Sequence, residues 1–466
     1  WIHTPLVLGV IAALPYGRWL HLFVIPATVV LRPERAMAAL EPLDMAAVEE
    51  TGKVGLGAIT DLDRWQLMSL DGCMECGRCT DACPAHAVGK VLDPKRIVLQ
   101  LRSMLDESRS DRAATPADDA AAGATDAASR GSTDVVSDEA LWACTNCSAC
   151  VRECPALIRH VDIIDGIRQY RVAEGRVSGP AATMLRQLTS RENPWGLPAY
   201  QRMDWAKGLE LAGATTEDGR EVLLWVGCAG AFESRAQASM RALAALLTAA
   251  DVRFTVLGTR ERCTGDPARR TGDELLFQQL AEENITTLKS IGGGTIVTQC
   301  PHCFHTMKNE YPQLGGDFEV LHHTQFLERL VQSGRLRLAA TYGDKVTYHD
   351  PCFLARVNGE TAAPRSLLAG ALKAPLAEPA RRESKTFCCG AGGGRMWMEE
   401  PPGQRPGVER ARELIRAGAK TVAVGCPFCK AMLGDCVAQA AGEAAPAVKD
   451  ISEIMLAAIQ SDPASG

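Results

Sequence analysis

The sequence lacks an excess of charge of either sign. Its 50 Lys and Arg residues nearly balance 56 Asp and Glu residues, which leaves a formal net charge of −6. It has no basic stripe of the kind that nucleic-acid-binding proteins carry, so we expect no nucleic-acid partner. It contains no Walker sequence, no strand-linked dinucleotide fingerprint and no Ser–His–Asp motif, which indicates that the chain binds neither flavin nor nicotinamide by itself. Hydrophobic residues nevertheless make up 46% of the 466 residues, which excludes wholesale disorder.

The amino terminus also lacks an uninterrupted run of about 20 apolar residues, the length that a membrane span needs. An uncharged stretch over residues 5–15 is followed by Arg18, and apolar residues then resume up to residue 31. One interpretation is an amphipathic or buried helix. The other is a partial transmembrane helix over residues 1–31, whose cytoplasmic end is marked by the positive charges of Arg32 and Arg35.

Two histidines favour the membrane interpretation. In one continuous helix, the 18 residues from His3 to His21 would make five full turns and rise about 27 Å. Both imidazoles would then lie on one face, one near each membrane surface, as two stacked b-type haems require. The pieces WIH and RWLHL resemble the last helix of the nitrate reductase gamma-type cytochrome b domain, which implies haem ligation by His3 and His21. Because the chain begins with Trp1 and not Met, we expect upstream helices to supply the partner ligands.

The chain is rich in cysteine, with 18 residues, most of them in tight repeated spacings. In a chain of this length such clusters are typical of metal ligands in a reducing compartment. The runs CMECGRCTDACP and CTNCSACVRECP share the bacterial ferredoxin spacing, in which the fourth cysteine ligates the other cluster. Structural zinc also takes four thiolates but usually pairs two short Cys–Cys spacings. We therefore predict two [4Fe–4S] clusters, one on Cys73, Cys76, Cys79 and Cys154 and the other on Cys144, Cys147, Cys150 and Cys83.

Composition divides the rest of the chain into regions. Around residues 108–137 the sequence is rich in Ala, Asp, Ser and Thr and nearly free of large apolar residues, which predicts a disordered insertion. From residue 221 onward, short apolar runs alternate with helix-length segments, a pattern typical of layered α/β units with mostly parallel strands. The predicted order is a connector (32–65), an α-helical two-cluster ferredoxin-type domain (66–175), a linker (176–220) and two α/β domains (221–330 and 331–466).

The α/β part is an internal duplication. Each predicted strand has a cysteine at or just after its end, which is where folds of this class build their sites. The predicted strands are EVLLWVG, GTIVTQ, KVTYHD and KTVAVG. Four cysteines of the first copy recur in the second at offsets of 124, 125, 126 and 126 residues. The pairs are Cys228 and Cys352, Cys263 and Cys388, Cys300 and Cys426, and Cys303 and Cys429. We call residues 221–330 copy 1 and residues 331–466 copy 2.

The duplicated motifs resemble the cysteine-rich CCG domain of the heterodisulfide reductase family. Copy 2 carries HDPC, CCGAGGG and CPFC, copy 1 carries GCAG, RCTGD and CPHC, and the ferredoxin pair resembles the family's fused iron–sulfur subunit. The resemblance implies that a complete copy holds a noncubane [4Fe–4S] cluster where disulfide chemistry can occur, with Cys388 and Cys389 as the catalytic pair. The implied ligands in copy 2 are Cys352, Cys388, Cys389, Cys426 and Cys429.

Copy 1 departs from this pattern because Thr264 stands where the paired cysteine should be. Its four cysteines, Cys228, Cys263, Cys300 and Cys303, are expected to hold an ordinary cubane; an empty site and zinc are the alternatives. Cys436 is left over as a small buried hydrophobe. His349, three residues before Cys352, could donate a hydrogen bond to a cluster or a proton to a substrate, or be structural. Four further histidines without ligand spacing are expected to be surface or packing residues: His302, His305, His322 and His323.

Two functions from different classes fit these motifs. The first is a membrane-associated oxidoreductase at the cell membrane, with its globular part on the cytoplasmic side. It would pass electrons between a soluble donor, such as an electron-transfer flavoprotein or a dehydrogenase, and the quinone pool through [4Fe–4S] clusters and haem b. The alternative is the catalytic subunit of a heterodisulfide or thiol–disulfide reductase. A third is a glycolate- or lactate-oxidase-type iron–sulfur subunit, whose relatives usually lack a membrane anchor.

Overall fold

A computed structural model describes residues 1–13, 19–114, 132–209, 219–339, 341–400 and 403–459. The chain forms two compact units. The amino-terminal unit comprises Trp1–Ala38 and Leu43–Arg176, and the carboxyl-terminal unit comprises Ala39–Pro42 and Val177–Gly466.

The described part of the amino-terminal unit is built from helices and turns, as predicted for the ferredoxin-type domain. Its core is formed by apolar residues of the long helix Pro94–Ala114, such as Leu101, and of the helix His160–Ala173, such as Ile164, which pack around the cysteine loops. The helices are His3–Ala13 (α1), His21–Val30 (α2), Met45–Thr51, Arg64–Asp71, Arg78–Asp81, Pro84–Ala87, Pro94–Ala114, Asp138–Trp142, Ala149–Glu153 and His160–Ala173.

The amino-terminal segment differs from the prediction. Trp19 and Leu20 form a turn, and His21 is the first residue of α2, so His3 and His21 lie on two different helices. The single straight helix that would place both imidazoles on one face is therefore wrong. Pro15 and Gly17, the poorest helix formers, stand between the two helices in the sequence. Among the described residues, no helix combines the length and the apolar character that crossing a membrane requires.

The predicted insertion at 108–137 lies partly outside the described residues, which omit 115–131. Its two flanks are ordered. Residues 108–114 complete the helix Pro94–Ala114. On the other side, the buried Thr133 hydroxyl donates to the carbonyl of Leu56 at 2.9 Å, because a buried hydroxyl needs a hydrogen-bond partner.

The carboxyl-terminal unit contains two parallel sheets, which confirms the predicted duplicated α/β architecture. The four predicted strands are present as β1, β3, β5 and β6, and each is fully buried or nearly so. The first sheet has the order β2-β1-β3-β4 and the second the order β5-β6-β7. The strands are β1 Val222–Trp225, β2 Phe254–Thr255, β3 Thr295–Thr298, β4 Val320–His322, β5 Val346–His349, β6 Thr421–Val424 and β7 Ala447–Asp450.

The two copies share one hydrophobic core. Leu224 and Val297 from the first sheet belong to the same buried cluster as Tyr348 and Ala423 from the second. Trp205, from the segment expected to be a linker, is also buried there. The helices of this unit are Gly179–Arg191, Gly227–Phe232, Ser234–Ala249, Asp266–Thr271, Glu274–Ser290, Pro301–His305, His323–Gln332, Ala362–Ala371, Pro406–Arg416, Pro427–Ala441 and Ile451–Leu456.

Candidate iron–sulfur sites

The first predicted ligand set of the ferredoxin-type domain surrounds one small cavity. Its lining includes Cys73, Cys76, Cys79 and Cys154. Cys76 is exposed, so this site reaches the protein surface. Burial, with a contribution from Cys154, raises the pKa of Cys79 to about 11. A thiolate at this position therefore depends on a metal centre that displaces its proton.

The second predicted set lies deeper in the same unit. Its four cysteines are all buried, and their thiols are close enough to interact electrostatically. The buried Arg168 guanidinium shapes the loop by donating to the carbonyl of Cys144 at 2.8 Å and to Asn146 Oδ1 at 2.9 Å. Burial raises the pKa of Cys144 to about 12. The residues of this set are Cys83, Cys144, Cys147 and Cys150.

The two cysteine loops have the same backbone conformation. Glu75 and Gly77 flank the middle cysteine of the first loop with positive φ values of 57° and 80°. Asn146 and Ser148 do so in the second loop, with 50° and 58°. Residues other than glycine adopt this region at a cost of about 1–2 kcal/mol. Both loops therefore turn in the same way on either side of the middle cysteine, as their common spacing suggests.

In copy 1, neighbouring parallel strands bring the cysteines together. Trp225 and Thr298 are paired at the ends of β1 and β3, so the cysteines that follow these strands lie at one edge of the sheet. Cys300 caps the helix Pro301–His305, with proline at the first helical position, where no backbone N–H is needed. Cys228, Cys263, Cys300 and Cys303 line a cavity of about 20 Å³.

A buried arginine that the sequence interpretation missed contacts this site. Arg202 Nη2 lies 3.3 Å from Cys228 Sγ, and Arg202 Nη1 donates to Glu261 Oε1 at 3.1 Å. Glu261 in turn accepts from the backbone N–H groups of Val226 and Gly227. Although burial disfavours the thiolate, hydrogen bonding from Cys263 and the positive Arg202 lower the pKa of Cys228 to about 6. The sequence does not identify Arg202 as a site residue, because it belongs to no cysteine motif and lies in the segment interpreted as a linker.

The difference between the copies is visible at one equivalent pair of atoms. In copy 2, Cys389 Sγ and Cys429 Sγ are 3.3 Å apart. In copy 1, Thr264 Oγ1 lies 3.7 Å from Cys303 Sγ, the equivalent of Cys429. The threonine hydroxyl therefore occupies the place of the fifth thiol and can donate to a neighbouring sulfur instead of serving as a thiolate ligand.

Copy 2 packs its cysteine pair tightly. All five predicted ligands are buried. The backbone of Gly407 packs so close to the pair that a Cβ atom added to it would lie 2.6 Å from the carbonyl oxygen of Cys389. The same Cβ would lie 2.7 Å from Cys436 Sγ, so the leftover cysteine is a packing residue behind the pair. Gly390, with φ of 92°, and Gly394, with 75°, adopt left-handed backbone conformations that allow the chain to turn around the pair.

A buried imidazole connects the CPxC motifs of the two copies. His322 Nε2 lies 3.2 Å from the carbonyl oxygen of Gln299, which precedes Cys300, and 3.1 Å from that of Gly425, which precedes Cys426. Aromatic contacts also link the copies, with His302 stacked on Phe353 at 4.0 Å. The four histidines expected at the surface or in packing positions are all buried, which excludes the surface alternative: His302, His305, His322 and His323.

The grouped thiols fit iron–sulfur clusters. Sets of four cysteines around one enclosed space are the donor set of a [4Fe–4S] cluster, and copy 2 offers five. In copy 2 a ring nitrogen of His349, Cys389 Sγ and Cys429 Sγ also lie within 4.8 Å of one another. Burial and the charge of Arg410 hold the pKa of His349 well below its usual range, so this imidazole is neutral.

Comparison with known families agrees with the positions of these sites. A 4Fe-4S dicluster domain matches residues 72–158, and a cysteine-rich domain matches residues 222–308 and again residues 346–434. These matches support [4Fe–4S] clusters as the cofactors and two copies of one cysteine-rich unit.

Three curated relatives are similar over most of the chain. A "Probable membrane-anchored ferredoxin" of Chromohalobacter salexigens is 41% identical over 443 residues, covering 92% of this chain and 65% of the relative. An "EtfAB:quinone oxidoreductase" of Syntrophomonas wolfei is 35% identical over 489 residues, covering 99% of this chain and 68% of the relative. One chain of the "Dihydromethanophenazine:CoB--CoM heterodisulfide reductase" of Methanosarcina barkeri is 29% identical over 380 residues, covering 79% of this chain and 90% of the relative.

The chain belongs to the family of iron–sulfur oxidoreductases in which a 4Fe-4S dicluster domain precedes two cysteine-rich domains. It spans about two thirds of the length of the first two relatives, 65% and 68%.

The iron content follows from the four predicted ligand sets. We expect anaerobically reconstituted protein to bind about sixteen irons, with a similar amount of acid-labile sulfide, because each set would hold four irons. The Cys436→Ala variant is the matched control, since this cysteine lies outside every set, and it should bind as much iron as the wild type. About eight irons in the wild type would contradict both carboxyl-terminal sites.

Proposed function

We propose that the chain is the iron–sulfur part of a membrane-associated oxidoreductase that passes electrons between a soluble donor protein and the quinone pool. When bound, [4Fe–4S] clusters supply one-electron transfer. The chain's own contribution is to hold the sites in two units, to bury the cysteine-rich sites and to set the charge around them. The relative named as an EtfAB:quinone oxidoreductase supports an electron-transfer flavoprotein as donor and quinone as acceptor.

The observation that carries this proposal is the enclosure of the cysteine-rich sites. The cysteines of copy 2 are at most 6% exposed. The ring centroids of Phe428 in copy 2 and His302 in copy 1 are 6.0 Å apart. Trp195, from the segment before copy 1, stacks on Phe428 with a centroid distance of 6.3 Å. Closed sites of this kind suit electron relays better than the entry of a bulky disulfide.

Membrane association is supported by the surface of the first two helices. Most of the large exposed apolar side chains in the described part of the chain lie in residues 1–31, including Leu6, Ile11 and Phe23. An exposed apolar patch of this kind marks an interaction surface. The helix α2 is anchored to the ferredoxin-type domain, since Trp65 Nε1 donates to the carbonyl of Thr28 at 3.0 Å. Haem ligation by His3 and His21 remains a prediction that rests on the resemblance to cytochrome b alone.

A cavity at the end of α2 supports an amphipathic acceptor near the membrane surface. It measures about 710 Å³, and its lining combines the apolar Val30 and Trp65 with the basic Arg32 and Arg152 and the acidic Glu34. The apolar lining suits a hydrocarbon tail, and the guanidinium groups suit oxygen-rich head groups. It belongs to the same unit as the surface-reaching site of Cys76.

The second candidate function is disulfide reduction, with Cys388 and Cys389 as catalytic residues. It is favoured by the complete set of five cysteines in copy 2 and by the 29% identity to a chain of a heterodisulfide reductase.

One experiment separates the two candidates. The reconstituted chain, reduced by electron-transfer flavoprotein, is offered either a soluble quinone analogue or a mixed disulfide, and its reoxidation is followed optically. We expect reoxidation by the quinone and none by the disulfide above the rate of Cys389→Ser. Rapid reoxidation by the disulfide alone would replace the proposed function with the second candidate.

A further inference from the structure

The last residue of the first strand in each copy carries a buried ring nitrogen without a visible partner. In copy 2 this residue is His349, at the end of β5, and in copy 1 it is Trp225, at the end of β1. Each stands three residues before the first cysteine of its copy, so the two positions are equivalent in the duplication. Within the described part of the chain, neither His349 Nε2 nor Trp225 Nε1 has a hydrogen-bond partner.

The contact with Arg410 decides which nitrogen of His349 carries the proton. Arg410 Nε donates to His349 Nδ1 at 3.0 Å, and an arginine is only ever a donor. Nδ1 must therefore be the acceptor, which puts the ring proton of the neutral imidazole on Nε2. Arg410 is itself fixed, since its Nη1 donates to Glu413 at 2.7 Å and to the carbonyl of Arg381 at 2.8 Å.

This tautomer places an N–H group on a ring that lies beside the cysteines of copy 2. A ring nitrogen of His349 lies within 4.8 Å of both Cys389 Sγ and Cys429 Sγ. Because Nδ1 accepts from Arg410, Nε2 is the nitrogen left to donate to a neighbouring sulfur. A protonated Nε2 has no lone pair in the ring plane for a metal. It can donate to sulfur, and a buried donor that stays unpaired is destabilising.

Copy 1 repeats the arrangement with a different ring. Indole nitrogen is a donor only, so Trp225 cannot be a metal ligand at all. The edge of this indole ring borders the copy 1 site, as the space beside Gly227 shows. A Cβ atom added to Gly227 would lie 3.6 Å from Cys303 Sγ. The same Cβ would lie 4.0 Å from Trp225 Cδ1, the carbon bonded to the indole nitrogen. Two unlike residues with the same N–H function at equivalent positions argue against a purely structural role for His349.

We propose that His349 in copy 2 and Trp225 in copy 1 each donate an N–H···S hydrogen bond to the iron–sulfur centre of their copy and raise its reduction potential. The proposal requires iron–sulfur clusters at these cysteines, but it does not depend on which proteins donate electrons to the chain or accept electrons from it. A donor to sulfur stabilises the more negative, reduced state, and hydrogen bonds to sulfur are among the factors that set such potentials. Both side chains are positioning residues that act through the centre.

The test is an equilibrium redox titration with dithionite and mediators, followed by electron paramagnetic resonance. We expect His349→Phe, which keeps a flat ring but loses the donor, to favour the oxidised copy 2 centre about tenfold, or 59 mV for a one-electron couple. His349→Gln, which restores an N–H group, should recover part of this shift. The ferredoxin-type clusters of the same molecules serve as the internal control, and their potentials should not move.

Trp225→Phe is the matched variant for copy 1 and should shift only the copy 1 potential. It also tests the proposal independently if His349→Phe does not fold. Loss of about four irons in His349→Phe would make His349 a ligand and overturn the donor role, as would unchanged potentials in the variants. Because no quinone, flavoprotein or disulfide is used, failure of the proposed function would leave this result unaffected.

Discussion

Replacing Cys389 with threonine is expected to convert the site of copy 2 into a likeness of the site of copy 1. Thr264 already shows what a hydroxyl does at this position, where its Oγ1 lies 3.7 Å from Cys303 Sγ. The variant would keep four thiols and lose the close Cys389–Cys429 pair, whose sulfur atoms are 3.3 Å apart. Turnover with the physiological partners should fall by more than the 10–100-fold that is typical of changing an outer-shell partner of a metal site.

Electron paramagnetic resonance of the oxidised and partly oxidised protein is the measurement that checks this. The signal of the copy 2 centre should change, while the ferredoxin-type clusters should stay reducible by dithionite. The mirror variant Thr264→Cys is the matched control and should change activity little, since the four cysteines of copy 1 are expected to hold an ordinary cubane without a fifth thiol. Full activity with an unaltered spectrum in Cys389→Thr would show that Cys389 is not a ligand.

Removing the carboxylate of Glu310 is expected to destabilise the carboxyl-terminal unit strongly. Glu310 is fully buried and lies 2.7 Å from Arg270 and 3.2 Å from Arg269, which are buried as well. It also accepts from the backbone N–H of Leu40. In Glu310→Ala, Arg269 keeps Glu274 and Arg270 keeps Asp266, but the N–H groups that faced Glu310 lose their shared buried acceptor. Leaving a buried donor unsatisfied costs about 1–3 kcal/mol, and more for a charged group.

Urea unfolding of the anaerobic protein, followed by tryptophan fluorescence, measures this loss. The matched control is the exposed ion pair of Arg329 and Glu319, 3.3 Å apart. Arg329→Ala should cost less than about 1 kcal/mol, because water and salt screen an exposed pair. Equal losses in the two variants would contradict the importance of the buried network.

The sequence predicted the parts of this protein that depend on local spacing. The strands β1, β3, β5 and β6 were recognisable because a buried parallel strand is a short apolar run, whatever it packs against. The edge strand β2 was missed because two residues carry no periodic signal. The continuous helix from His3 to His21 was wrong because the prediction followed the spacing of two ligands and passed over Pro15 and Gly17 between them.

For the candidate sites, too, the sequence predicted what depends on local spacing and missed what depends on contacts between distant segments. The sequence by itself determined which cysteines form sets, since the ferredoxin spacing and the 124–126-residue repeat are properties of chain order. Only the tertiary structure decided what surrounds those sets. Arg202 reaches Cys228 from 26 positions earlier in the chain, and Arg410 fixes the His349 ring from 61 positions away. Contacts of this kind arise when distant segments pack together, and no local pattern of residues records them.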